Sequence, residues 1–86
     1  MTTTTDHEIT EDAWTQVAEG ATSVFLQLKT NGPVMVAIDA DEPATGTEGV
    51  VMSRGGIDAL SFDGFTGNVY LRGRDNDTEL VTVIAS

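Results

Sequence analysis

The sequence predicts an all-β protein, a small antiparallel β-sandwich or barrel of about seven short strands behind a flexible N-terminal arm. Three observations lead there. Apolar side chains recur at every second position in several short runs, which is the period of a half-buried strand. Gly, Asn and Asp interrupt those runs at roughly ten-residue spacing, as in small β-sandwiches and barrels. Helical periodicity is confined to one short segment, Glu11 to Glu19, where two helical turns capped by Thr10 are the competing reading. The capping box there is incomplete, because position 13 is Ala rather than Glu or Gln.

Residues 1–12 are polar, acidic and poor in large apolar groups, with Ile9 as their one anchor. Such a composition cannot offset its own ordering entropy, so a flexible arm is expected; ordering against a neighbouring subunit is one reading and a disordered tail with no role is the other. Residues 13–86 then form a single β domain. Trp14 to Ala18 reads as the first strand, and Glu19-Gly20-Ala21-Thr22 as a turn. Ser23 to Thr30 carries Val24, Leu26 and Leu28 at period two. Asn31-Gly32, a strong hairpin signal, follows at once, and Pro33 suits the start of a return strand holding Val34, Val36 and Ile38. These two segments are expected to pair as a hairpin.

Ala40 to Thr47 lacks periodicity and reads as a loop. Gly49 to Ser53 and Ile57 to Phe62 read as short strands on either side of Arg54-Gly55-Gly56. Turn residues then surround Phe65, Val69 to Arg72 forms a further strand, Arg74 to Asp77 the last turn, and Glu79 to Ala85 the closing strand. That last strand and Val34–Ile38 are apolar on both faces. A sheet with one wet face alternates more cleanly, so a second covered surface, such as subunit contact, is one reading; tolerated Ala, Val and Thr on an open face is the other.

Size and charge narrow the function. The chain has 86 residues, 14 acidic side chains against 4 Lys and Arg, one His and no Cys, for a formal net charge of −10. A domain of this length buries about 60–65% of the surface its unfolded chain exposes, and small domains without disulfide or metal staples often gain stability from partner subunits. So few cations cannot neutralise a run of phosphates, which argues against nucleic-acid binding. No run approaches the ~18 apolar residues of a membrane span. Without Cys there is no disulfide, zinc-thiolate or thiol chemistry. The polar N-terminus lacks the pattern of a secretory signal, so synthesis in a cytoplasm is expected.

Catalytic constellations are missing. His7, the one histidine, lies in the expected arm, where it cannot hold the rigid geometry a Ser–His–acid site needs. Paired carboxylates suit glycoside hydrolysis, but the chain is too short to wall a sugar cleft. A non-enzymatic protein without a cofactor is the expectation. Asp75, Asp77 and Glu79 alternate as calcium ligands on a loop do, yet the twelve-residue loop with its glycine and terminal Glu is absent, and Asp is an ordinary turn residue. Arg54-Gly55-Gly56 lacks the context of a phosphate loop. Arg54, Arg72 and Arg74 form a small basic spot if the last turns converge, or pair with nearby acids. Trp14 and Tyr70 fit either core packing with a polar tip or an interface hot spot.

One resemblance gathers these features. A polar arm leads into Trp14-Thr15-Gln16-Val17 and Val24-Phe25-Leu26-Gln27. Val34-Met35-Val36-Ala37, a loop with Pro43, and Gly49-Val50-Val51-Met52 follow; then come Gly67-Asn68-Val69-Tyr70-Leu71-Arg72-Gly73 and a closing Val81-Thr82-Val83. This order resembles the small β-rich accessory proteins of tailed bacteriophage virions, the capsid decoration (cement) proteins and related head-fibre or tail domains. The resemblance implies a virion structural protein, made in the host cytoplasm and located on the capsid surface. There it would bind the major capsid protein, often as a homotrimer, and bridge neighbouring capsid subunits. Ile9, Trp14, Tyr70 and Arg72 are the candidate partner-binding residues. The alternatives are a carbohydrate- or receptor-binding module of a phage fibre or tail, which calls for an exposed aromatic platform, and an acidic DNA mimic, which calls for carboxylates at phosphate-like spacing.

Overall fold

A computed structural model describes residues 2–44, 46–74 and 78–86. The protein is all-β, and among the described residues there is no helix. Six strands, β1 (Thr3–Ile9), β2 (Thr15–Leu28), β3 (Val34–Asp39), β4 (Val50–Met52), β5 (Ala59–Gly73) and β6 (Glu79–Ala85), form one antiparallel sheet in the order β1-β6-β2-β5-β3-β4. The Glu11 to Glu19 segment is extended rather than helical from Thr15 onward.

The sheet cannot be flat. Fourteen residues of β2 would reach about 47 Å if straight, at about 3.4 Å each, whereas the molecule's longest extent is 32 Å. The bend falls where the β2–β5 register slips, at Gln16/Ala18, Ala18/Ala21 and Ala21/Ser23. Bulges bend a strand and raise its twist. Gly20 (φ 59°) and Gly64 (φ 74°) take the left-handed backbone there that side-chain-bearing residues avoid. Asn68 pins the bend: its Oδ1 accepts the Gly20 N–H at 2.9 Å, and its Nδ2 donates to the Ala40 carbonyl at 3.0 Å.

Curling brings distant strands onto one core. Ile9 of β1 and Met52 of β4 sit on opposite edges of the sheet, yet both belong to one buried cluster with Val24, Leu26, Leu71 and Val83. All six of these side chains are 2% exposed or less. The Gly73 N–H donates to the Thr10 carbonyl at 2.8 Å and ties the end of β1 to the end of β5. The result is sandwich-like, with two outer faces.

Three expectations need correction. The expected flexible arm, residues 1–12, instead supplies β1, a regular strand paired with β6 from Thr3↔Ala85 to Ile9↔Glu79. Three threonines favour extended backbone, Ile9 is wholly buried, and the closing strand supplies the ladder. Seven strands become six. The segments Trp14–Ala18 and Ser23–Thr30 run together through bulges as β2, those around Ile57–Phe62 and Val69–Arg72 run together as β5, and β1 is added.

The hairpin at Asn31-Gly32 does not form either. β2 pairs with β5 and β6, while β3 pairs with β4 and β5, so β5 lies between the two strands expected to be neighbours. In a Thr30-Asn31-Gly32-Pro33 turn the fourth residue must donate the closing N–H, and Pro33 has none. The segment serves as a crossover, with Gly32 at φ 72° and a cis Gly32–Pro33 bond.

Candidate docking surface

The first outer face is built by β1, β6 and the adjoining halves of β2 and β5. Its rows follow from the pairing. Thr4, Ile84, Phe25 and Ser61 stand side by side across four strands, and Asp6, Thr82, Gln27 and Ala59 form the next row. Glu8 faces Leu80, whose carbonyl accepts the Lys29 N–H at 2.8 Å. Alternation explains the selection: Val24, Leu26, Val81 and Val83 point into the core, so their neighbours Phe25, Thr82 and Ile84 must point out. Phe25 keeps 39% of its surface exposed, while Ile84 and Leu80 are half-buried. The Thr82 hydroxyl donates to Asp6 Oδ1 at 2.6 Å and fixes one carboxylate on the row next to the Phe25–Ile84 pair.

The second outer face is already covered. Trp14, Met35 and Tyr70 form a buried cluster there, flanked by Ala37 and Val51. Beside it lies a cleft of about 200 Å³, bordered by Glu11, Thr47, Glu48, Arg72 and Arg74. Arg72 Nε donates to the Glu11 carbonyl at 2.8 Å, and Arg74 pairs with Glu48 at 3.5 Å with both side chains about half exposed. Of the two readings of the arginines, Arg74 follows the pairing with an acid, Arg72 bonds a carbonyl, and Arg54 lies apart, 3.4 Å from Asn31 Oδ1.

The expected partner-binding residues are consequently not gathered on one surface. Ile9, Trp14 and Tyr70 are 0%, 6% and 5% exposed and do packing work, and Arg72 is half-buried. Phe25 is the aromatic side chain that the structure exposes most, and sequence reasoning missed it because it sits in a run, Val24 to Leu28, whose other apolar members are core. Alternation was the available signal: Phe25 falls on the face opposite Val24 and Leu26.

Among the described residues no three acidic or histidine side chains are placed to hold a metal ion. Asp75 and Asp77 lie outside the described residues. Glu79, the third residue of that weak calcium-like run, is 3% exposed, and its Oε1 accepts the Gly32 N–H at 2.7 Å and the Thr30 hydroxyl. His7 Nε2 lies 2.9 Å from the Thr5 hydroxyl on β1.

Comparison of the chain with protein-family models, with curated proteins and with solved structures returns no match.

Proposed function

We propose that the protein is a non-enzymatic structural component of a virion that binds the outer surface of the capsid and stabilises the head by bridging neighbouring capsid subunits. The observation that supports this reading most is the exposed Phe25 paired with Ile84 on a sheet face whose reverse side is the core. Strands bonded on both sides hold such a face rigid, so little ordering entropy is lost when it docks. Carboxylates at its margin, Asp6 and Glu8, and the net charge of −10 favour a shell surface bearing cations and oppose contact with unrelated acidic proteins. Many copies acting together raise avidity without any single strong contact, which suits a homotrimer on the major capsid protein.

The test uses particles of the virus that encodes the chain, stripped of this protein and then reloaded. Reloaded particles should release their genome at a higher temperature than stripped ones, and the Phe25→Glu variant should fail to restore the difference. Equal heat resistance with and without the protein overturns the reading.

A further inference from the structure

The two edges of the sheet are unequal. β4 is three residues long, Val50–Met52, and is preceded by Gly49, where any Cβ would meet the Val36 carbonyl oxygen. A short edge of that kind is poorly suited to further pairing. β1 is seven residues long, contains neither Pro nor Gly, and runs against β6 without a register break. Its residues Thr3 to Asp6 and Glu8 are exposed, and among the described residues no backbone hydrogen bond from Thr3 to Ile9 reaches any strand but β6. Half of its N–H and C=O groups therefore face outward in a regular row, the template on which an extended peptide adds as a strand.

Charge selects the occupant. An added strand would place its outer-face residues beside Asp6 and Glu8, whose neighbours on the β6 side, Thr82 and Leu80, are uncharged. A second copy of this chain would bring its own Asp6 and Glu8 into the same two-stranded strip and join two molecules of charge −10, an arrangement that like-charge repulsion opposes. We infer that the free edge of β1 receives an extended polypeptide segment from another protein, carrying Lys or Arg at alternate positions, as a seventh strand of the sheet. The segment's main chain completes the ladder, and its cations sit against Asp6 and Glu8. The inference rests on the shell-binding reading only for where such a partner is met.

The experiment titrates the whole protein with two synthetic heptapeptides, one alternating Thr and Lys and one alternating Thr and Glu, followed by amide NMR and hydrogen exchange. The Lys peptide should shift and protect alternate amides of Thr3–Glu8, weaken as salt rises, and bind about tenfold or more tighter than the Glu peptide. Asp6→Lys combined with Glu8→Lys should invert that preference. Thr4→Pro and Thr5→Pro supply the backbone control, because adjacent residues aim their N–H groups to opposite sides. The variant that keeps its melting temperature should lose the peptide. Equal binding of both peptides, shifts centred on β4 or Phe25, or retained binding in the stable proline variant overturns the inference. Free peptides replace the shell here, so this outcome and that of the particle experiment fail separately.

Discussion

Glu79 Oε1 accepts the backbone N–H of Gly32 at 2.7 Å, joining the first residue of the last strand to the crossover between β2 and β3. The same oxygen receives the Thr30 hydroxyl, while the Leu80 N–H donates to Thr30 Oγ1 at 3.2 Å. A buried carboxylate is tolerable only when donors replace its lost water, and here those donors hold the crossover in place. Glu79→Ala leaves the Gly32 N–H orphaned and should destabilise by about 2–4 kcal/mol, whereas Glu79→Gln keeps an acceptor oxygen and should cost roughly half as much. Urea unfolding followed by the fluorescence of Trp14 measures both.

Residues 25 and 26 are adjacent and face opposite ways. Leu26→Ala empties a site in the core and should cost about 2–5 kcal/mol. Phe25→Ser removes a cross-strand contact with Ile84 on the outer face and should cost about 1 kcal/mol or less. If Phe25 is instead a stability residue, the two unfolding midpoints will fall by similar amounts.

Trp14 offers a different contrast. It is 6% exposed, and among the described residues its indole Nε1 has no hydrogen-bond partner. Trp14→Phe removes that buried, unpaired donor along with some packing volume, so the two effects oppose each other and the net change should stay within about 1 kcal/mol. Trp14→Ala keeps only the loss and should cost about 3–5 kcal/mol. Thermal melts by circular dichroism separate these outcomes.

Gly49 lies at φ 68°, and a Cβ there would run into the Val36 carbonyl oxygen. Gly49→Ala should therefore cost more than 2 kcal/mol, since backbone strain and overlap add. Gly55 has a similar backbone, φ 88°, with open space around it, so Gly55→Ala should cost only about 1 kcal/mol. Near-equal melting temperatures for the two variants would contradict the close approach of β3 to Gly49.

Ile9 is buried completely although its neighbours in β1 are mostly exposed. Ile9→Ala should cost about 2–4 kcal/mol by equilibrium denaturation, a loss that a loose arm would not show. Truncation of residues 1–12 consequently removes a strand from the sheet, and any weakening of partner binding that follows must be read against the stability lost.

Much of the architecture was open to the alternation of apolar residues. Val24, Leu26 and Leu28, and likewise Val81 and Val83, declare both strand and inner face on their own. β1 was hidden because threonine-rich acidic segments carry no apolar alternation; its order comes from the ladder that β6 extends to it and from Ile9. Glu19–Thr22 and Asp63–Asn68 look like turns, and locally they do bend, but bulges keep both segments inside continuous strands. The docking surface was half visible, since periodicity places Phe25 away from Val24 but does not say that Ile84 lies beside it.

By itself the sequence determined the strand-rich class, the strongly acidic character and most of the core side chains, because these depend on composition and on a period of two that is written locally. The strand order, the curl that sets Ile9 and Met52 in one core, the burial of Trp14 and Tyr70, and the free edge at β1 were decided only by the tertiary structure. Pairing partners are chosen by contacts between residues far apart in the chain, such as Glu79 with Gly32, and no local pattern encodes which distant strand will offer its hydrogen bonds.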